Sequence, residues 1–283
     1  MTIAAGFLCS DGVVLCTDSE YTAGQSKHYA AKVFEASAEN AVAYLAGAGD
    51  HIYIKSAADG IKEFIGGKTV STTDIEACAE SVISTLYKGA FLAARQANDP
   101  NAPTMIFLMA THVDKEGAKL FRIREDGTSS IVDESPVIVG SEAAETLLRE
   151  LANLFFMEHL HSVYTMRMIA PLLIRRVVGF AAYCGGKTQI ACLEHGGPRW
   201  FDDSASADPG PDYLGEVLAD MPLILELCAK GDVGALHSNV EALEKTLRKV
   251  AENRNKGTGS VCRPLQNSIF QARQGVRNEF PWP

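Results

Sequence analysis

The order of predicted helices and strands is the feature that most limits the fold of this chain. Apolar, β-branched stretches fill the first 50 residues, and two helical stretches follow to about residue 96. Strands resume after Pro103, two more helical stretches cover about 140–182, and a last strand is expected at 189–193. Helices in adjacent pairs do not suit a doubly wound parallel sheet, in which single helices alternate with strands. They predict an α+β fold, a four-layer αββα sandwich of mainly antiparallel sheets.

The N-terminal strands are bounded by turn signals. Strands are expected at 3–9, 13–17, 32–34 and 41–45. Between the first two lies Ser10-Asp11-Gly12, and Asp-Gly is typical of a tight hairpin turn. Segment 46–50 is expected to break the strand pattern and to lead into a helix that continues to about residue 65.

The other helices and strands are also marked by their ends. Asp74 is the predicted N-cap of the second helix, with half of a capping box, and Gln96 its end. Gly140-Ser141 opens a third helix to about His159, and Pro171 is expected to kink or break the fourth. The strands between these helical pairs are predicted at 104–111, 119–124 and 129–132.

The chain changes character after residue 200. A stretch rich in Asp, Ser and Pro is followed by apolar residues at helical spacing, namely Leu236, Val240, Leu243, Leu247 and Val250. The sequence therefore predicts one domain over 1–200 and a helical C-terminal extension over 201–283.

Composition excludes several classes of function. The 283 residues include 35 acidic and 26 basic ones, a net charge of -9 that argues against nucleic-acid binding. No apolar run approaches the roughly 18 residues that span a bilayer, and no basic signal segment opens the chain. The seven cysteines are scattered without a Cys-x-x-Cys pair, which argues against disulfides and zinc. We expect a cytoplasmic protein with no metal, cofactor, nucleic-acid partner or membrane partner.

Thr2 follows the initiator methionine and is small enough to permit removal of Met1. A terminal threonine would combine a hydroxyl nucleophile with an α-amine base that titrates near about 8. A peptide nitrogen cannot accept the proton, so activity would stay latent until Met1 is lost. Taken alone, a threonine at the second position is more often a residue without a catalytic role.

Short motifs in the first 50 residues strengthen the catalytic interpretation of Thr2. They are Thr2-Ile3-Ala4-Ala5-Gly6-Phe7, Asp11-Gly12-Val13-Val14-Leu15, Asp18-Ser19 with Thr22-Ala23-Gly24, Lys32-Val33, and Ala46-Gly47 with Asp50. In this order they resemble proteasome β-type subunits and the peptidase subunit of the related bacterial ATP-dependent ring protease, which are N-terminal-nucleophile hydrolases. The resemblance covers about residues 2 to 195.

The resemblance implies a role for each matching residue. Thr2 matches the nucleophile, Lys32 the buried lysine that favours the developing alkoxide, and Asp18 the carboxylate that pairs with this lysine. Gly47 matches the residue whose N–H forms the oxyanion hole, and Ser141 matches a serine near the terminal amine. Each has an ordinary alternative: a strand-end turn for Asp18, a solvated surface for Lys32, a turn for Gly47 and a helix N-cap for Ser141. The substrate pocket implied beside Thr2 involves Tyr21, Thr22 and Leu45, although Leu45 is otherwise simply core.

The chain departs from the family at several positions. The interval from Asp18 to Lys32 is about two residues shorter than is usual in the family, which implies a trimmed loop at 25–29. Lys27 is a poorer alternative to Lys32 as the matching lysine. Ala181 replaces a family aspartate, Cys184 replaces a serine, and Glu142 replaces a glycine. These differences predict a divergent branch.

The function implied by the resemblance is a threonine-type peptidase or amide hydrolase acting on peptides or proteins. Family members enclose the site in rings, so a homo-oligomer is expected, while the sequence identifies no ATPase partner. Two alternatives stay open: an inactive proteasome-like protein with an assembly or binding role, and an amidase for small non-peptide amides.

Overall fold

The computed structural model describes residues 2–23, 26–97, 99, 104–155, 161–181, 184–196 and 199–202. The predicted C-terminal extension lies outside the described residues from residue 203 onward, and so does the end of the third helix predicted near His159. The domain boundary predicted at residue 200 stays a prediction.

Strands occupy most of the first 50 described residues and return after the first helices. Their bounds are β1 (Ile3–Cys9), β2 (Gly12–Thr17), β3 (Glu20–Ala23), β4 (Ser26–Tyr29), β5 (Val33–Ser37), β6 (Ala41–Gly49), β7 (Met105–Val113), β8 (Gly117–Ile123), β9 (Ser129–Ile131), β10 (Val137–Gly140), β11 (Gln189–Glu194) and β12 (Arg199–Asp202). The helices are α1 (His51–Ile65), α2 (Thr72–Leu86), α3 (Leu92–Gln96), α4 (Glu142–Phe155) and α5 (Val163–Val178). A π-helical turn at Tyr87–Phe91 joins α2 to α3.

The strands form two five-stranded sheets and a separate hairpin. One sheet has the order β10-β1-β2-β11-β12, the other has the order β5-β6-β7-β8-β9, and β3 pairs with β4. Each of these neighbouring pairs is antiparallel. The α+β class with antiparallel sheets, predicted from the paired helices, is confirmed.

Three buried apolar clusters account for the packing of these elements. One joins β1 and β2 to α4 and α5, and a second joins β6 and β7 to α1 and α2. The third contains residues from both sheets, including Ala4 and Leu15 from one and Ala46 and Leu108 from the other. Alternate residues of a strand point to opposite faces, so each sheet contributes one face to the third cluster and the other face to a helix-containing cluster.

Several predicted element boundaries were wrong. Strand β5 continues to Ser37 rather than ending at residue 34, and helix α5 ends at Val178 rather than near Ala182. Strand β6 does not end near residue 45 but continues to Gly49, because its ladder with β7 runs on to the pair of Gly49 and Met105. Helix α2 is capped by Ser71 rather than Asp74: the Ser71 hydroxyl accepts from the Asp74 N–H at 3.2 Å, and the Asp74 carboxylate accepts from the Ser71 N–H at 2.8 Å. This is a complete capping box, with aspartate as its third helical residue.

Pro171 lies inside α5 without ending it. Proline removes one helical hydrogen bond, but apolar residues on both sides of it, including Ala170, Leu173 and Val177, are buried in the cluster with β1 and β2. Tertiary packing of this face supplies most of the stability of such a helix. The helix therefore continues to Val178.

Four strands, β3, β4, β10 and β12, were not predicted from the sequence. Residues 25–29, interpreted as a trimmed loop, fall mostly in β4, which forms a hairpin with β3. Strands β10 and β12 are short edge strands with few residues to show an alternating pattern. Of these, β10 matters for the site, because it leads directly to Ser141.

Candidate active site

The register of β1 and β2 brings Thr2 and Asp18 together. Ala4 pairs with Thr17, so the residue before β1 and the residue after β2 lie at the same end of the ladder. The Asp18 N–H donates to the carbonyl oxygen of Ile3 at 3.3 Å, and the Ile3 N–H donates to Asp18 Oδ1 at 3.1 Å. The position of Asp18 is thus fixed by the backbone that carries Thr2.

Thr2, Asp18 and Lys32 are in mutual contact. The Thr2 hydroxyl donates to Asp18 Oδ1 at 2.5 Å, and Lys32 Nζ lies 2.8 Å from the same oxygen. Lys32 Nζ also donates to Thr2 Oγ1. The exposed fractions of the three residues are 3%, 0% and 3%. The structure therefore places a hydroxyl between a carboxylate and an ammonium group, away from bulk water.

Hydrogen bonds hold both the backbone and the side-chain ammonium group of Lys32. Its backbone N–H donates to Gln189 Oε1 at 2.7 Å, and the same oxygen accepts from the Val33 N–H at 3.2 Å. Its Nζ also donates to the carbonyl oxygen of Glu20. Burial lowers the pKa of Lys32 below its usual 10.5, although the neighbouring Asp18 carboxylate opposes this shift.

The second oxygen of Asp18 is held by another segment of the chain. The Gly185 N–H donates to Asp18 Oδ2 at 2.9 Å, and the Gly185 carbonyl oxygen accepts from Ser19 at 3.1 Å and Glu20 at 2.9 Å. A Cβ on Gly185 would lie 2.1 Å from Glu20 Oε2, so only glycine fits without displacing this carboxylate. Asp18 thus accepts four hydrogen bonds, which compensate for the loss of water around a buried charge.

Strand β10 brings Ser141 close to Thr2. Ile3 of β1 pairs with Gly140 of β10, so the residues that follow outward from this pair on the two strands are Thr2 and Ser141. A Cβ on Gly140 would lie 2.4 Å from the Thr2 carbonyl oxygen, which shows how closely the two backbones approach. Thr2 and Ser141 line one cavity of about 720 Å³.

Gly47 lies in β6 of the second sheet, near the end of that sheet where β5 begins after Lys32. Ala46 pairs with Val33 in the antiparallel pair of β6 and β5. One step further along this ladder, Gly47 of β6 faces Lys32, which directly precedes β5. On the other side Gly47 pairs with Phe107 of β7. A Cβ at Gly47 would lie 3.0 Å from the Ile54 side chain, so a larger residue would crowd α1. The register therefore places Gly47 opposite Lys32.

The three predicted pocket residues have different surroundings. Leu45 is 3% exposed and belongs to the cluster that β6 and β7 form with α1 and α2. The Tyr21 ring stacks on His51 at 4.9 Å and on His28 at 5.3 Å between ring centroids. Of Thr22 the structure describes the backbone, which pairs with Lys27 in the β3–β4 hairpin. Among the described side chains that line the cavity with Thr2 and Ser141, neither Tyr21 nor Leu45 is found.

The positions that depart from the family pattern contribute differently. Ala181 brings no carboxylate and packs against the cluster formed by β1, β2, α4 and α5. Cys184 is buried, and burial, reinforced by the Asp18 charge, raises the pKa of its thiol to about 11. Glu142 is the first residue of α4 and is exposed, so it is not buried in the site.

Sequence reasoning missed Gln189, Glu20 and Gly185 as residues that hold the site. Gln189 was interpreted only as the first residue of a strand. A buried side-chain amide at the start of an apolar strand indicates an internal hydrogen-bond partner. Within the described ranges, no three His, Cys, Asp or Glu side chains are grouped so as to hold a metal ion. The helices among those residues are too short or too polar to cross a membrane.

Comparison with solved structures reveals similar folds at low sequence identity. An Anbu (Gly-1) mutant from Hyphomicrobium sp. strain MC1 superposes with a TM-score of 0.63 and 13% identity, covering 78% of this chain and 94% of its own. Anbu from Yersinia bercovieri, described as an ancestral beta-subunit, gives 0.62 and 13%, covering 78% and 96%. The chain has the fold of Anbu proteins.

A third structure with this fold comes from a helical assembly of the Anbu complex from Pseudomonas aeruginosa, with a TM-score of 0.61 and 15% identity over 78% of this chain and 95% of its own. Neither a protein-family model nor a curated protein matches the chain. The sequence resemblance to proteasome β-type subunits thus agrees, at the level of fold, with similarity to a protein described as an ancestral beta-subunit.

Proposed function

We propose that the chain is a threonine-type amide hydrolase that uses Thr2 as its nucleophile after removal of Met1. The observation that carries this proposal is the contact of Thr2 Oγ1 with both Asp18 and Lys32. An isolated surface threonine has no need of a buried carboxylate and a buried ammonium group. Burying such a pair gains little stability over apolar residues of the same volume, so a chemical use explains it better than a structural one.

The proposed reaction begins with attack of Thr2 Oγ1 on the amide carbonyl carbon. The freed α-amine takes the hydroxyl proton, and the Lys32 ammonium group stabilises the oxygen as negative charge develops on it. The Gly47 N–H donates to the oxyanion of the tetrahedral intermediate. Collapse of this intermediate breaks the C–N bond, and the amine leaves with the proton held by the α-amine. Water then hydrolyses the ester on Thr2, returning the proton to Oγ1 and releasing the acid.

The proposed fold and assembly follow the same interpretation. Three apolar clusters, two with helices and one shared by both sheets, support the four-layer αββα order. The Pseudomonas aeruginosa relative in fold was solved as a helical assembly, which supports a homo-oligomer for this chain also. We propose a peptide or protein as the substrate class, and no ATPase partner is assigned.

The test combines mass spectrometry with a reagent that labels terminal threonine. Purified protein should lack Met1, and a threonine-directed electrophile should add to the chain once, at Thr2. Thr2→Ala should abolish both labelling and peptide hydrolysis, whereas Thr85→Ala, on the exposed face of α2, should leave them unchanged. Active protein that retains Met1 would contradict the mechanism.

A second candidate is a non-catalytic assembly protein. Ala181 favours it, because the carboxylate that helps to hold the amine in the resembling family is missing. In that case Met1 would be lost, and a well-folded oligomer would neither react with the electrophile nor cleave any peptide or small acyl amide. Cleavage of small acyl amides but not peptides would instead indicate the amidase alternative.

A further inference from the structure

The cavity that adjoins Thr2 has a basic wall. Besides Thr2 and Ser141, it is lined by the charged residues Arg95, Arg122, Arg124 and Glu125. These four side chains carry a net charge of +2 in a chain whose overall net charge is -9. These charged lining residues are therefore basic on balance, whereas the protein as a whole is acidic.

The strand pattern explains why the arginines face this cavity. In β8, Leu120 belongs to the apolar cluster shared by both sheets, while Phe121 and Ile123 belong to the cluster that includes α1 and α2. Because side chains alternate along a strand, Arg122 lies on the same face as Leu120, toward the sheet that carries Thr2. Arg124 continues this face one step beyond the end of β8.

The three arginines differ in whether their charge is already matched. Arg95 forms an ion pair with Glu125 at 2.8 Å. For Arg122 and Arg124, no carboxylate among the described residues lies within the 4.0 Å of an ion pair. Glu125, which follows Arg124 in the sequence, is the residue paired with Arg95. Asp126 accepts a hydrogen bond from the Thr128 N–H at 3.0 Å. This bond lowers the pKa of Asp126, and the charge of Arg124 lowers it further, without an ion pair between these two described residues. Among the described residues, the guanidinium groups of Arg122 and Arg124 thus form no ion pair, and both line the cavity where an anionic ligand could bind.

We propose that Arg122 and Arg124 bind a carboxylate of the substrate, so that the amides cleaved at Thr2 are those of acidic peptides. The inference rests on the proposed function, because it assigns the substrate class of the same site. Guanidinium groups bind carboxylates through paired, charge-assisted hydrogen bonds. The carboxylate belongs either to an Asp or Glu side chain or to the C-terminus of the peptide.

Paired substrates test the proposal and identify the source of the carboxylate. One pair of peptides differs by Glu against Gln near the cleaved amide, and another differs by a free C-terminal carboxylate against a carboxamide. For the pair that carries the recognised group, kcat/KM should be roughly tenfold higher for the acidic member, as expected for one charge-assisted hydrogen bond. Equal rates within both pairs would overturn the proposal.

Variants assign the preference to the two arginines. Arg122→Gln with Arg124→Gln should remove the preference, so that the acidic and neutral members of a pair are cleaved with equal kcat/KM. Arg149→Gln, which removes an exposed arginine of α4 outside the cavity, should keep it. Arg122→Glu with Arg124→Glu should instead favour a matched peptide that carries Lys. An unaltered preference for acidic peptides in the Gln variant would contradict the role of these arginines.

A binding measurement separates this inference from the proposed catalysis. In the Thr2→Ala chain, the dissociation constant of the acidic peptide should be roughly tenfold lower than that of its neutral partner, and the difference should vanish when both arginines are also changed to Gln. If the wild type binds the acidic peptide in this way but cleaves nothing, the proposed function fails and the recognition stands. If it cleaves peptides without binding acidic ones more tightly, the recognition fails and the proposed function stands.

Discussion

Lys32 Nζ lies 2.8 Å from Asp18 Oδ1, and both side chains are almost completely buried. The pair joins the two five-stranded sheets, because Asp18 follows β2 in one and Lys32 precedes β5 in the other. Each charge compensates for the burial of the other, so neither residue can be removed alone without consequence. The same contact orients Lys32 toward Thr2 Oγ1.

Loss of one partner of this pair should destabilise the fold more than loss of both. Lys32→Met leaves the Asp18 carboxylate buried without its cation, which should lower the free energy of unfolding by about 3 kcal/mol. Adding Asp18→Asn removes the unpaired charge and should recover most of this loss. Urea denaturation of both variants measures the difference, and a double variant that is the less stable of the two would contradict the argument from charge.

Raising the pH should affect activity and stability in opposite directions through Lys32. Burial lowers the pKa of this lysine, so between its folded pKa and 10.5 the unfolded chain binds more protons than the folded chain. The contribution of Lys32 to the free energy of unfolding therefore rises with pH across this window. The neutral amine cannot stabilise the Thr2 alkoxide by its charge. As the pH is raised, kcat/KM should therefore begin to decrease before the pH reaches 10.5, while circular dichroism still shows folded protein. A constant kcat/KM up to that pH would exclude a charged role for Lys32.

Much of the site could be predicted because its residues lie at strand ends that the sequence marks clearly. The Asp-Gly turn fixes the β1–β2 hairpin, and this hairpin alone brings Thr2 beside Asp18. Lys32 directly precedes an apolar strand, as the resemblance requires. These contacts depend on local signals, which a single sequence contains.

The remaining parts of the site depend on contacts between distant segments. Gln189 reaches the backbone of Lys32 across 157 positions of sequence, and β10 is too short for its alternation to be recognised. The basic cavity is also formed by residues that are far apart, because β8 and β1 meet only through the packing of two sheets. Composition hides it, since the whole chain is acidic.

Gln189 should act as a positioning residue for Lys32. Gln189→Leu removes the oxygen that accepts from the N–H groups of Lys32 and Val33. Leaving these buried donors without a partner should lower the free energy of unfolding by about 1–3 kcal/mol. The kcat should also fall, because the lysine would shift from Thr2 Oγ1, whereas KM should change little. Gln96→Leu, at the exposed end of α3, is the matched control, and an unchanged kcat in Gln189→Leu would refute the positioning role.

The five cysteines within the described residues should be inert in the native protein. All are buried, and burial raises their thiol pKa values, to about 11 for Cys78 and Cys184. In a Cys228→Ser, Cys262→Ser background, a disulfide reagent at pH 8 should therefore react with none of them until urea is added. Rapid reaction of Cys184 without urea would contradict the burial of this thiol and its raised pKa.

The approach of Gly140 to Thr2 should be required for activity rather than for folding. A Cβ at Gly140 would lie 2.4 Å from the Thr2 carbonyl oxygen, so Gly140→Ala must push the start of β1 away from β10. A displacement of about 1 Å at a reacting group reduces rates by roughly 100-fold, whereas crowding of this kind lowers stability by about 1–3 kcal/mol. We therefore expect a folded protein with kcat/KM reduced by roughly that factor. Gly89→Ala, where a Cβ meets no atom within 4 Å, should leave kcat/KM unchanged. Equal kcat/KM in the two variants would show that activity does not require this close approach of Gly140 to Thr2.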